Sequence, residues 1–155
     1  HWAMSDARFE HAVDKPLRLI AFEVDDLQVI STMVQDAVLP VSEMSWRPKE
    51  RRFALLVNRF RWEANQLGYA ERVQAVLSFE DVQSIQTQGF DRADPDLILS
   101  LLNVTFEADT DGMGYCIVTL AGDGAIRLKV EVLEASLRDV SRPYVALSGM
   151  MPNHD

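Results

Sequence analysis

The chain has 155 residues, 48% of them hydrophobic, which is enough for one ordinary domain burying roughly 70% of the surface its unfolded form would expose. A formal charge of −9 and an isoelectric point near 4.7 repel nucleic acid and anionic membranes, so affinity for a polyanion would have to come from a local basic patch. Cys116 is the single cysteine, which excludes an internal disulfide and a Cys-rich zinc site, and no apolar run reaches the length of about 18 residues that a membrane span requires.

These limits predict a soluble, cytoplasmic protein in a reducing compartment. Residues 1–15 are polar and irregular and are expected to be a disordered arm, with His1, Trp2 and Ala3 preceding Met4 as a cloning remnant would. A single α+β domain is expected over residues 16–140, and a flexible tail over 141–155. Leu17 to Phe22 reads as a short strand. Asp25 or Asp26 then supplies a helix cap, and Leu27, Ile30, Val34, Ala37 and Val38 recur at helical spacing until Pro40 stops the helix. Val41 to Trp46 is a second strand and Arg47 to Arg52 a turn into a third, Phe53 to Trp62. On that strand Phe53, Leu55 and Val57 share one face with Arg59 and Arg61, whereas Ala54, Leu56, Phe60 and Trp62 share the other with Asn58.

Val73, Ala75, Leu77 and Phe79 alternate as a half-buried strand, and Asp81 to Gln88 either extends it past a bulge or returns as another. In the loop at 89–95, Asp94 as N-cap, Pro95 at the first helical position and Asp96 near the positive dipole end predict a second helix, with Leu97, Ile98, Leu101 and Leu102 buried. Val104 to Ala108, Tyr115 to Ala121 and Ala125 to Val132 follow as strands. In the last of them Ile126, Leu128, Val130 and Val132 face inward, and the glycines at 122 and 124 mark the hairpin turn before it. Residues 133–140 fit either strand or helix. The sum is an α+β fold, a mainly antiparallel sheet or partly closed barrel of about seven to eight strands with two packed helices. Helix, strand, hairpin and strand occur in that order twice, over 26–62 and 95–132, which raises the idea of an internal duplication.

Chemistry is constrained first by histidine. All three, His1, His11 and His154, lie in the terminal arms, so the body has no imidazole for acid–base catalysis, a Ser/His/Asp triad or a metal site. Cys116 sits inside an apolar strand and reads as a structural thiol. Asp91, Asp94 and Asp96 surround Arg92 and make an alternative carboxylate/arginine pocket, the other reading being turn and cap residues with a local ion pair. Asp109 and Asp111 beside Gly112 resemble the start of a calcium loop, but the twelfth position is Leu120 rather than a bidentate Glu. No phosphate-binding glycine loop is present. No cofactor and no metal are predicted.

The basic and aromatic stretch from Trp46 to Glu63 is the leading binding candidate, holding six of the fifteen Lys and Arg residues and two of the three Trp. Arg59 and Arg61, two apart on a strand, point the same way, and Trp46, Arg47, Lys49, Arg51 and Arg52 extend the face at the adjacent turn. The competing reading is internal pairing of these arginines with Glu43, Glu50, Glu63 or acids from other elements.

The phrases PKERRFALLVNRFRWE, GFDRADPDLILSLLNVTFE and GDGAIRLKVEVLEASLRD resemble a family of small alphaproteobacterial proteins described only as a domain of unknown function. The resemblance covers about Leu17 to Asp139 and implies a single domain and a bacterial cytoplasmic origin. It brings no activity, cofactor or catalytic residue. The function expected is therefore a non-enzymatic interaction or regulatory module presenting its basic/aromatic strand surface to an acidic protein partner or to a second copy of itself. A carboxylate/arginine small-ligand binder or enzyme is the alternative, and an RNA-binding protein the third reading.

Overall fold

A computed structural model describes residues 15–67 and 71–145. The expected arm, apart from Lys15, the tip of the loop after Trp62 and the tail from residue 146 lie outside the described residues, as do all three histidines. Among the described residues eleven strands form one antiparallel sheet: β1 (Arg18–Ala21), β2 (Val38–Pro40), β3 (Met44–Arg47), β4 (Arg52–Phe60), β5 (Glu71–Phe79), β6 (Val82–Gln88), β7 (Ile98–Ala108), β8 (Gly114–Leu120), β9 (Gly124–Val130), β10 (Ala135–Asp139) and β11 (Tyr144–Val145). Their order is β1-β10-β5-β4-β2-β7-β8-β9-β6, with β3 beside β4 and β11 beside β5. The path ends at β1 and β6, so the sheet is open rather than a partly closed barrel, and it has more strands than the seven to eight expected.

The two halves of the sheet share one core. Val73, Ala75, Leu77 and Phe79 of β5 face it, as do Cys116, Val118 and Leu120 of β8 and Ile126, Leu128 and Val130 of β9, each set at the two-residue period of a strand. Val132, expected inward, lies past the end of β9 and is 46% exposed. The turn between β8 and β9 needs left-handed backbone at Gly122 (φ 78°) and Asp123 (φ 67°), which glycine adopts without strain and Asp tolerates.

One α-helix is present among the described residues, α1 (Val24–Met33), rather than two. It stops before Val34 and Ala37, which are buried in a turn, while Val38 and Pro40 belong to β2. Glu23 is the N-cap and makes no side-chain cap bond; Asp25 and Asp26 lie in the first turn instead. α1 buries Leu27, Ile30 and Ser31 against the sheet. Ser31 Oγ accepts from the Val104 N–H at 2.9 Å, beside the bulge where β7 shifts register between Leu101 and Asn103.

The predicted second helix is a turn followed by β7. Leu99, Leu101 and Val104 are buried, Ile98 and Leu102 are 60% and 41% exposed, and β2 pairs with Ile98 to Ser100. Without that helix the proposed duplication has no second copy. Val41 to Glu43 is a 3-10 turn, so the strand expected over 41–46 is only β3. Residues 135–139 resolve as strand β10, hydrogen-bonded between β1 and β5, and the expected tail contributes β11 to β5.

Candidate functional site

The alternation along β4 puts Phe53, Leu55 and Val57 in the core, and the same face carries Arg59 and Arg61 inward after them. They are 0% and 2% exposed, which removes both from the cationic surface expected of them. Asp139, at the end of β10, meets Arg59 in a fork: Nε donates to Oδ1 at 3.0 Å and Nη2 to Oδ2 at 2.9 Å. Glu63 closes a second fork, accepting from Nη1 at 3.0 Å and Nη2 at 2.7 Å, and Phe60 O takes the remaining Nη1 proton. Arg61 pairs with Glu71. The other oxygen role of Asp139 is to accept from the Leu17 N–H at 2.8 Å, which ties the start of β1 to the cluster.

Burial opposes charge on Glu63, yet the hydrogen bonds and charge of Arg59 outweigh it and hold this carboxyl below the usual range. The guanidinium of Arg59 is likewise raised, because its bonds to Glu63 and Asp139 overcome the cost of burial. This is a closed ionic cluster, the internal-pairing alternative in the sequence reading.

The remaining predicted residues separate. Trp46 packs half-buried against the core, and Trp62, also half-buried, tilts against Phe60 and donates Nε1–H to Gln35 O at 3.2 Å. Arg47 pairs with Glu50, Arg51 with Glu131 and Arg52 with Glu80, while Lys49 is exposed at the turn. Asp91, Arg92, Asp94 and Asp96 are all exposed, and two of the carboxylates close the turn: Asp91 accepts from the Ala93 N–H at 2.9 Å and Asp94 from the Asp96 N–H at 3.2 Å. Cys116 is buried, and burial pushes its thiol up to about 12.

The opposite, outward face of the same strands forms a groove of ≈680 Å³ across β1, β10, β5, β4 and β3. Its floor is a row of small side chains, Ser136, Ser78, Ala54 and Ser45, brought into line by the strand registers. Two residues along the strands, roughly 7 Å away, Arg18 of β1 lies directly opposite Arg138 of β10. Asp139 N–H bonds Leu17 O, so Arg18 and Arg138 are the neighbouring non-hydrogen-bonded pair, in which Cα atoms approach to about 4.5 Å. Both are exposed, and neither forms an ion pair among the described residues.

At the other end of the groove Glu134 stands beside Glu80, itself bound by Arg52. Burial first, then the charges of Asp81 and Glu80, push the Glu134 carboxyl up. Sequence reading missed Arg18 and Arg138 because they are 120 positions apart and only the β1–β10 register joins them. Each alone is an ordinary outward strand residue.

A family model described as a protein of unknown function, DUF2948, matches residues 17–154. The chain belongs to that family. Its span takes in every strand of the groove and all members of the buried cluster, and it assigns no role to any of them. No curated protein and no solved structure matches the chain. No helix among the described residues is long and apolar enough to cross a membrane, and no three His, Cys, Asp or Glu side chains among them form a metal-binding group.

Proposed function

We propose that the protein is a non-enzymatic binding module that takes an acidic protein segment on the outer face of β1, β10, β5, β4 and β3. The observation that carries this reading is the Arg18–Arg138 pair. Like charges directly opposite on neighbouring strands destabilise a sheet, and no carboxylate among the described residues offsets these two. An incoming carboxylate bridging both guanidiniums would remove the repulsion and gain charge-assisted hydrogen bonds, each contributing about 1.5–3 kcal/mol. The serine and alanine floor leaves room for an acidic side chain to lie across the face beside the two arginines.

This keeps the acidic-partner reading but moves its surface. Arg47 and Arg52 remain at the rim, paired to carboxylates, and Arg59 and Arg61 support the sheet from beneath. The bacterial, cytoplasmic setting implied by the family resemblance belongs to this proposal. The RNA reading draws little from such a site, because Arg47, Arg51 and Arg52 are already paired and both described Trp rings are half-buried.

The test is fluorescence anisotropy with an end-capped peptide rich in Glu and Val. Wild type should bind in a salt-sensitive manner, and Arg18→Ala with Arg138→Ala should weaken binding by about tenfold or more. Lys49→Ala, at an exposed turn off the groove floor, should bind as wild type. No binding by wild type, or equal binding by the double variant, would overturn the proposal.

A further inference from the structure

β1 is the terminal strand of the sheet, and its outer edge, which no described strand pairs, borders the groove. Register determines which of its main-chain groups are free. Leu17 and Asp139 form a hydrogen-bonded pair, so Leu19 and Ala21 also turn their N–H and C=O toward β10, and Arg18 and Ile20 turn theirs outward. No other described main-chain group bonds those of Arg18 and Ile20. The side chains of these two residues stand on the groove face: Arg18 with its uncompensated charge, and Ile20, 62% exposed, followed by Phe22 at 60%.

We infer that the acidic segment is held as an added β-strand, pairing with the free edge of β1 through Arg18 and Ile20. This rests on the acidic-partner reading and specifies its geometry: the main chain lies beside β1, and the acidic side chain reaches over the groove face. Pairing supplies the backbone affinity, and side-chain alternation supplies the selectivity. In an antiparallel partner, an apolar residue lies opposite Ile20, and an acidic residue two positions on lies opposite Arg18, where it reaches Arg138 as well. The residue between them has its side chain on the core side beside half-buried Leu19 and its N–H turned away from β1. The partner is thus an extended apolar-x-acidic stretch.

Edge strands are commonly protected by being short and charged, and β1 has both properties: four residues and an outward arginine. That protection works against a generic strand. An acidic residue opposite Arg18 converts it into selection, since the charge that repels a basic or indifferent strand attracts this one.

The test uses an end-capped peptide, Thr-Ile-Val-Glu-Val-Asp, and two backbone-methylated forms, so the protein itself is unchanged. N-methylation at the Ile and Glu amides removes the donors that face β1 and should weaken binding by about tenfold or more, whereas N-methylation at the Val between them should leave it within about twofold. Equal weakening by both forms, or by neither, overturns strand addition. In the latter case continued dependence on Arg18 and Arg138 would leave the acidic-partner reading standing, and its loss would remove both. Sedimentation is run alongside. A dimer that the peptide fails to dissociate would assign the edge to a second copy of the chain and overturn the inference.

Discussion

Arg59 carries five N–H donors, and each has an oxygen from Asp139, Glu63 or Phe60 within hydrogen-bonding distance. A guanidinium with no exposed surface survives in a core only when satisfied in this way. Removing Asp139 strands Nε–H and one Nη2–H in the core while Glu63 still pairs the charge, so Asp139→Ala should cost about 2–3 kcal/mol. Arg52→Ala, which breaks the half-exposed pair with Glu80, should cost under about 1 kcal/mol. Urea midpoints at neutral pH separate the two.

The same cluster sets a pH dependence. Glu63 has a folded-state pKa below its unfolded value, so its stabilisation is complete above the ordinary Glu value of about 4.3 and is lost as pH falls through the lower, folded value. Urea midpoints should therefore drop on the acid side, and Glu63→Gln should flatten that decline. An equally steep acid limb in the variant would place the titration elsewhere.

At the scale of elements, α1 and β7 show how local signals yield to pairing. The run from Leu97 to Leu102 fits a helix and a strand equally well by hydrophobic spacing, and Asp94-Pro95-Asp96 resembles a helix start. The Asp94 carboxylate instead closes a turn on the Asp96 N–H, and β2 and β8 supply partners on both sides of the segment. Those partners come from 38–40 and 114–120, which local spacing does not reveal. α1, by contrast, was legible from Leu27 and Ile30, but not its early end: Val34 and Ala37 keep the helical spacing and are buried from a turn. Glu23 has extended N-cap backbone (φ −130°, ψ 160°) and no side-chain cap bond. Glu23→Ser should therefore stabilise the protein by about 0.5–1 kcal/mol, seen as a higher thermal midpoint. An unchanged or lower midpoint would show that α1 gains nothing from a cap.

For the molecule as a whole, one core joins both halves of the open sheet, and Cys116 lies inside it on β8. Its thiol, pushed up to about 12 by burial, stays protonated and covered in the folded state. Labelling by a thiol reagent at neutral pH should therefore require opening of the core and rise with urea along the unfolding transition. Rapid labelling of the native protein would contradict this. The sequence by itself determined the strands with strict alternation, β5 and β9 above all, along with the hairpin turn at Gly122 and the absence of histidine chemistry from the body, because a period of two residues, a positive φ and a composition are local properties. In Trp46 to Glu63 it also put Arg59 and Arg61 on the face of Phe53, Leu55 and Val57. Only the tertiary structure decided that this face is the core, because Asp139 comes from β10, 80 positions away, to meet Arg59. The same long-range register set Arg18 against Arg138 and left the edge of β1 without a partner among the described strands, since which strands become neighbours depends on how the whole chain buries its apolar faces.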